Sequence, residues 1–398
     1  MEDETLIPTF SLEERERRWG RVRQLMAAEQ LSCLVGFPSQ GRFEQFHANT
    51  RYLIQIGGFM TEAAVVFPLE GDATAIVQTP RDVEWWGAIH HWIKDLRASR
   101  RNWADPIINR LKELRLERAR IGVIGLKGLL RAPEGIVPWY MFEKVKEALP
   151  NAEFVNATPL LLKARSVKTA EEISFVERAE EVAEKAVETM AQTVRVGVRE
   201  NVVYAAMIQT MISHGAELPT MIYWSAGQER SVSHLVPTTR KLRAGDLLTN
   251  EIEAKWGGYI AQVVAPAFIG AVPAQHLSTY ETSMKIFQAL CPRMRPGASL
   301  ASLSKDYQTM ARDTGYKPAA WLFHGRGLGD DLPAMPTPTV ESEEKLEEGN
   351  VLILKPGLVP MNGRDEGSVR VGETVVVTKN GARRLGKRQL EVIEIPTF

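Results

Sequence analysis

The chain of 398 residues is 44% hydrophobic and 25% charged, and its 49 lysines and arginines are matched by 49 aspartates and glutamates. That balance speaks against a nucleic-acid binder, which needs a basic surplus, and against a disordered chain, which needs few apolar residues and a large net charge. No run approaches the roughly 18 uncharged apolar residues of a bilayer span. Two cysteines, Cys33 and Cys291, make neither a disulfide framework nor a cysteine zinc site, and the start MEDET carries no signal-peptide pattern. The expectation is a cytoplasmic protein that spans no membrane and, at this length, has two domains.

The N-terminal third alternates strands and helices. Ser11, with Glu14 three residues on, opens a helix over 12–30 in capping-box spacing. Strands are predicted at 32–37, 51–59, 63–69 and 73–79, a helix at 105–117, a buried strand at 120–126 and a helix at 140–150. Trp85, Trp86, His90 and His91 share a helix face suited to packing or to a dimer interface. The character changes at 160–169, which places a domain boundary near 160, so that an α/β domain 1–160 precedes a domain 161–398. A long amphipathic helix over 169–192 opens with Thr169 and Glu172 in capping-box spacing, and a second helix covers 200–214. The remainder is richer in strands, at 218–227, 246–256, 257–270, 350–359 and 367–381, with helices at 276–293 and 299–315. Gly257-Gly258 and Asn380-Gly381 are hairpin turn signals. The fold class is α+β.

Of seven histidines, two have motif-like surroundings: His234 in SVSHLVPTTRKLRAGD and His324 in the glycine-rich WLFHGRGLGDDLP. Each is either a hydrogen-bonded structural histidine or an acid, base or donor at a site where glycines let backbone approach a ligand.

At these residues the sequence resembles the creatinase/aminopeptidase P/methionine aminopeptidase superfamily, whose catalytic domain has the pita-bread fold. NTRYLIQIGGF resembles a segment of that family's N-terminal domain, and LLLKARSVKTAEEISFVERAEEVAEKA the linker and first catalytic-domain helix. GDLLTNEIEAKWGGYIAQVV resembles the first central hairpin and HGRGLG the histidine turn. EEGNVLILKPGLV and GSVRVGETVVVT resemble the strands that supply glutamates. The resemblance implies a creatinase-like N-terminal α/β domain followed by a pita-bread catalytic domain, and a homodimer in which the partner's N-terminal domain finishes the site. Phe46, His47, Asn49 and Arg51 fall in the segment that would do so.

The family's metallopeptidases hold two divalent ions with two aspartates, a histidine and two glutamates. On this chain those positions carry Glu251, Gln262, His324, Lys355 and Gly372. A charged lysine has no lone pair and repels a cation. The expectation is therefore no metal and no cofactor, with Lys355 paired to Glu251 or Glu253 where a metal charge would stand, or merely structural there. Creatinase is a metal-free member whose acid/base histidine lies in His-x-x-x-Thr-Thr-Arg-Lys-x-x-x-Gly-Asp. His234, Thr238, Thr239, Arg240, Lys241, Gly245 and Asp246 reproduce that spacing, whereas Val264 and Lys355 replace the glutamates that bind creatine's guanidinium.

These readings imply a metal-independent hydrolase of a C–N bond (amide, amidine or dipeptide-like) in a small molecule. His234 serves as acid/base, and His324, Lys355 and Glu251 complete the catalytic set. Glu253, Gln262, Asp330, Asp331, Arg370 and His47 are candidates for binding substrate. Asp330 and Asp331 would hold an amine or orient His324, Arg370 is an anion clamp or a surface salt-bridge residue, and Lys355 points to a carboxylate or oxyanion. Three alternatives stay open: a lyase acting on a small carboxylate, a non-catalytic binding protein, and a rebuilt single-ion site of His324, Glu251, Glu253 and Glu373.

Overall fold

The computed structural model describes residues 7–39, 45–58, 61–218, 222–227, 237–319, 322–333, 344–361 and 369–397. By internal contact the chain divides into one unit of Met1–Ser166 with Leu328–Asp331, and another of Val167–Gly327 with Leu332–Phe398. Among the described residues no helix is long and apolar enough to cross a membrane.

The first unit is built on a mixed sheet in the order Asp95–Ala98, Thr74–Val77, Ala63–Pro68, Cys33–Gly36, Arg120–Ile124, Glu153–Asn156. Its middle strands are near-continuous apolar runs, buried along their whole length, as strands covered on both faces must be. The two edge strands are half-exposed. The helix Leu12–Ala28 starts where expected, with the Ser11 hydroxyl accepting from the Glu14 amide at 3.1 Å. Pro80–Ile89 begins with a capping box of Thr79 and Asp82.

Two expectations fail in this unit. The helix that carries Trp85 and Trp86 ends at Ile89, before His90 and His91. The described residues of the segment 51–59, which are 51–58, do not form a strand: Gln45–Ile54 is a helix. The apolar letters of that segment read as a strand, but Ala48, Tyr52 and Leu53 fall at helical spacing on a buried face. Tertiary contacts select the helix. Trp19 Nε1 donates to the Leu53 carbonyl at 2.9 Å, and the Tyr52 hydroxyl donates to Ala164 O at 3.2 Å. The helix stops at Gln55, whose φ of 55° is left-handed. The stretch read as the start of a linker contains another helix, Thr158–Ser166.

The second unit opens with the long helix Ala170–Thr193, capped by the expected box of Thr169 and Glu172, and continues with Glu200–Ser213. Both pack Val182, Ala186, Met190, Val203 and Met207 against Trp224, Ile252 and Val263 of a sheet. That sheet runs Ile393–Ile395, Ala267–Ile269, Leu247–Trp256, Ile222–Gly227, with Tyr259–Val263 paired to the long strand. Gly257 and Gly258 both have positive φ, which the tight hairpin between those strands requires. A second sheet carries Phe323–Gly327, Val351–Leu354, Glu373–Thr378 and Gly381–Arg384, covered by Ala274–Leu290 and Leu300–Asp313. The two sheets are stitched at one point. Val264 N donates to Gly372 O at 2.9 Å, and Thr374 Oγ1 both accepts from Gln262 N and donates to Gln262 O, each at 2.9 Å. That seam brings residues about a hundred positions apart into one place.

Candidate active site

Glu251 and Glu253 lie two apart on Leu247–Trp256 and so face the same side of the strand. Gln262 sits directly across the ladder from Glu253. His324 and Arg326 are likewise two apart on Phe323–Gly327, and Lys355 follows Val351–Leu354, its amide donating to Leu322 O at 2.8 Å. Arg370 stands just before Glu373–Thr378. Strand alternation at the seam aims these side chains together.

They form one continuous polar chain. Glu251 Oε1 accepts from both Lys355 Nζ and Arg370 Nη2, each at 2.7 Å. Glu251 Oε2 accepts from Gln262 Nε2 at 2.8 Å. The Gln262 carbonyl oxygen accepts in turn from Arg326 Nη2, which also pairs with Glu253 Oε1. His324, Glu253, Gln262, Arg326 and Lys355 are all buried. Of the two partners expected for Lys355, the structure selects Glu251; Glu253 belongs to Arg326.

The electrostatics follow from that geometry. Burial alone would raise the Glu251 carboxyl, but the charges of Lys355 and Arg370, with a lesser part from His324, hold it at about 2. Lys355 is shifted downward as well. Burial lowers its ammonium below the ordinary lysine value, Glu251 resists, and Arg370 and Arg326 add to the lowering.

The donor set does not suit a pair of divalent cations. Lys355 places an ammonium on the carboxylate oxygen that a cation would use, and such ions want several hard oxygen ligands. Gly372 supplies no ligand, and a Cβ there would meet Val264 Cγ2 at 2.3 Å, so a glutamate has no room without Val264 moving. The rebuilt single-ion set does not converge either. Glu373 lies apart from Glu251 and Glu253, held by Arg384 and Arg388. Among the described residues, the acidic side chains close enough to share an ion are Glu180, Glu184 and Glu373, and Glu373 already carries those two guanidinium partners.

The remaining expected residues belong to the first unit or lie outside the described residues. Asp330 pairs with Arg131, and Asp331 with Arg165, which also donates to Asn49; all of these belong to the first unit. The structure gives Asp330 and Asp331 guanidinium partners in that unit. His47 is half-buried on the Gln45–Ile54 helix of the same unit. His234 lies outside the described residues. The later part of its segment is structural: Arg240 forks onto Asp246 at 2.6 and 2.8 Å, and Thr238 donates to Glu200, which also accepts from Trp224. Arg326 was missed as a candidate although its signal was present, two residues beyond His324 on the same strand face and set between glycines.

Residues 174–379 match the model of metallopeptidase family M24, and residues 18–167 match the creatinase/prolidase N-terminal domain. A Xaa-Pro dipeptidase of Pyrococcus furiosus is 28% identical over 65% of this chain and 74% of its own length. A creatinase of a Bacillus species is 24% identical over 96% of this chain and 93% of its own. Among solved structures, a Xaa-Pro dipeptidase from Bacillus anthracis superposes with a TM-score of 0.77 at 20% identity, covering 96% of this chain and all of that one. An X-Pro aminopeptidase from Thermotoga maritima gives 0.78 at 18%, covering 95% and 99%. The α/β first domain and the pita-bread second domain are thus those expected, and with its family model spanning more than half of its length the chain belongs to metallopeptidase family M24.

Proposed function

We propose that this chain is a metal-independent hydrolase of a C–N bond in a small molecule, dipeptide-like or amidine-like. The observation that carries the reading is the Lys355 ammonium, buried and 2.7 Å from Glu251 Oε1, at a position where the family's metallopeptidases carry a glutamate ligand. A fixed ammonium does electrostatically part of what a Lewis acid does: it stabilises negative charge developing on the attacked carbonyl or amidine centre. The likeness to Xaa-Pro dipeptidases and to a creatinase supports C–N hydrolysis on either kind of substrate.

Water adds to the carbon of the C–N bond. His234 takes the proton from that water and returns it to the leaving nitrogen; its support is the creatinase-like spacing of its segment. Lys355 and His324 face the charge that builds on the oxygen or nitrogen attached to that carbon. Glu251 holds Lys355 and Arg370 in place. The working form in this reading is a cytoplasmic homodimer, on the family resemblance.

Metal analysis and turnover on one preparation test this. Purified full-length protein, given Xaa-Pro dipeptides and small amidines, should turn over at least one class, contain substoichiometric Mn, Co, Zn and Fe, and lose no rate with EDTA. A stoichiometric metal whose removal abolishes turnover overturns metal independence, and inertness toward both classes overturns the hydrolase.

A further inference from the structure

A second group of buried charges stands beside the seam, on residues that the proposed reaction does not use. Glu180 and Glu184 are four apart on the helix Ala170–Thr193 and so share a face of it, and Glu373 opens the strand Glu373–Thr378. One carboxylate oxygen from each of the three lies within 4.8 Å of the others. Two of these groups are held from outside. Arg384 Nε donates to Glu373 Oε2 at 2.7 Å, and Arg388 Nη2 donates to Glu373 Oε1. Glu184 Oε1 accepts from the amides of Lys387 and Arg388, each at 2.6 Å. Glu180 is different. It is 1% exposed, and neither of its carboxylate oxygens meets a donor among the described residues. The Thr374 hydroxyl beside it gives its proton to Gln262 O at 2.9 Å.

Gly386 shows where these groups converge. A Cβ there would stand 2.6 Å from Glu184 Oε1, 2.8 Å from Glu180 Oε1 and 2.9 Å from Glu373 Oε2. The backbone at Gly386 is not left-handed, so what glycine provides here is room between three carboxylate oxygens. Three carboxylates against two guanidiniums leave one negative charge, and it falls on Glu180, buried and unmatched, where it is costly. Burial and the neighbouring carboxylates of Glu373 and Glu184 raise the Glu180 carboxyl well above its ordinary value, which favours a proton when nothing else is bound. A proton, however, joins one pair of oxygens and leaves the third facing the same gap. A metal ion takes all three.

We propose that Glu180, Glu184 and Glu373 hold a sodium ion, apart from the polar chain of Glu251 and Lys355. All three ligands are hard oxygens, and oxygens this close together suit an ion of calcium's size, whose oxygen distances are about 2.3–2.6 Å. Charge then selects sodium, the monovalent ion of that size: it cancels the one uncompensated charge, whereas calcium would add a surplus beside two guanidiniums. Waters complete such a shell. Tyr280 Oη and Arg388 Nε, both sealed and unmatched among the described residues and both close enough to Glu373 to feel its charge, are polar atoms for them to bind. The ion ties the helix Ala170–Thr193 to the strand whose Thr374 clamps Gln262, so its occupancy firms the seam. EDTA does not hold sodium, and the site stands whether or not the chain is a hydrolase.

Stability in matched salts tests this without turnover. Full-length protein, freed of alkali ions by dialysis into choline chloride, is unfolded thermally in NaCl and in choline chloride at the same ionic strength. NaCl should raise Tm saturably, by about 2–4 °C over choline chloride, and the sodium NMR resonance should broaden when the protein is added. Glu180→Gln should respond alike to the two salts and leave the resonance sharp. Glu181→Gln, one position along on the exposed side of the helix, should behave as wild type. Equal Tm values for wild type in the two salts, or an undiminished sodium response in Glu180→Gln, overturns the proposal; so does stabilisation by CaCl2 with none by NaCl. A Glu180→Gln protein at least as stable as wild type in every salt would show that Glu180 holds a proton instead. Should Glu180→Gln fail to fold, Glu184→Gln and the wild-type resonance decide.

Discussion

Each unit of this protein buries an ion cluster, and the two are finished differently. In the first unit Arg18, 1% exposed, donates through Nε to Glu14 Oε1 at 2.7 Å and stacks over the rings of Phe10, Tyr52 and Trp92. Arg17 forks onto the same carboxylate from one residue away, with its own side chain 33% exposed. The pairs are local, at helical spacing, and surplus charge goes to aromatic faces and to water. In the second unit the charges come from four separate stretches of chain, at 251–262, 326, 355 and 370, and only the tertiary fold brings them together. A cluster that is closed on itself reads as structure. One that is assembled at long range around a buried ammonium reads as a site.

The largest expected effect separates the two clusters by activity. Lys355→Ala should lower kcat by about 10³-fold with the fold retained, the size of loss seen when a preorganised donor to a developing charge is removed. Steady-state kinetics alongside near-ultraviolet circular dichroism measures both. Lys355→Glu sharpens the point: it restores an acidic residue at the ligand position, yet it should not bind Mn stoichiometrically, because Gly372 still supplies no ligand and Val264 fills the space beside it. Tight Mn binding by Lys355→Glu would show that the seam is still a metal cradle and that Lys355 alone closed it.

Next in size is a contrast in stability. Arg326→Met removes the guanidinium that pairs with the buried Glu253 carboxylate, which should cost about 3–5 kcal/mol in urea unfolding and also impair turnover. Arg18→Met should cost less, about 1–3 kcal/mol, because Arg17 still holds Glu14. The folded Arg18→Met protein should keep the wild-type kcat. Impaired turnover in Arg18→Met, at full folding, would erase the distinction between the two clusters.

How far the sequence led depended on how local each signal was. The capping residues Ser11 and Thr169 and the glycine pair 257–258 act within a few residues, and each forms the feature its spacing predicts. The pairing of Lys355 with Glu251 was foreseeable only as one of two choices, because the selection is made by the ladder register that sets Gln262 opposite Glu253. The roles imagined for Asp330 and Asp331 came from their nearness in sequence to His324. Both pair with guanidiniums, Arg131 and Arg165, that no local pattern ties to them. The helix Gln45–Ile54 was misread for a related reason: its letters suit a strand, and only packing under Trp19 selects the helix.

The smallest effect is the pH dependence, and it sharpens the comparison because both clusters contribute in the same direction. Burial would raise Glu14, but Arg17 and Arg18 hold it below its ordinary value. Glu251 is held at about 2 against an ordinary 4.5. A carboxyl whose folded pKa is depressed contributes stability that is present in full above its ordinary value and is lost as pH falls from there through the folded value. Wild-type unfolding free energy should therefore fall as pH drops from 4.5 toward 2. Lys355, whose ammonium is lowered mainly by burial, adds a separate rise on the alkaline side, below the ordinary lysine value of 10.5. Glu251→Gln removes one carboxyl and leaves Glu14 untouched, so its acid slope should be shallower than that of wild type but not flat. Parallel slopes for the two proteins would mean that Glu251 is not held ionised by Lys355 and Arg370, and the second cluster would then lose the long-range ion pairs that distinguish it from the first.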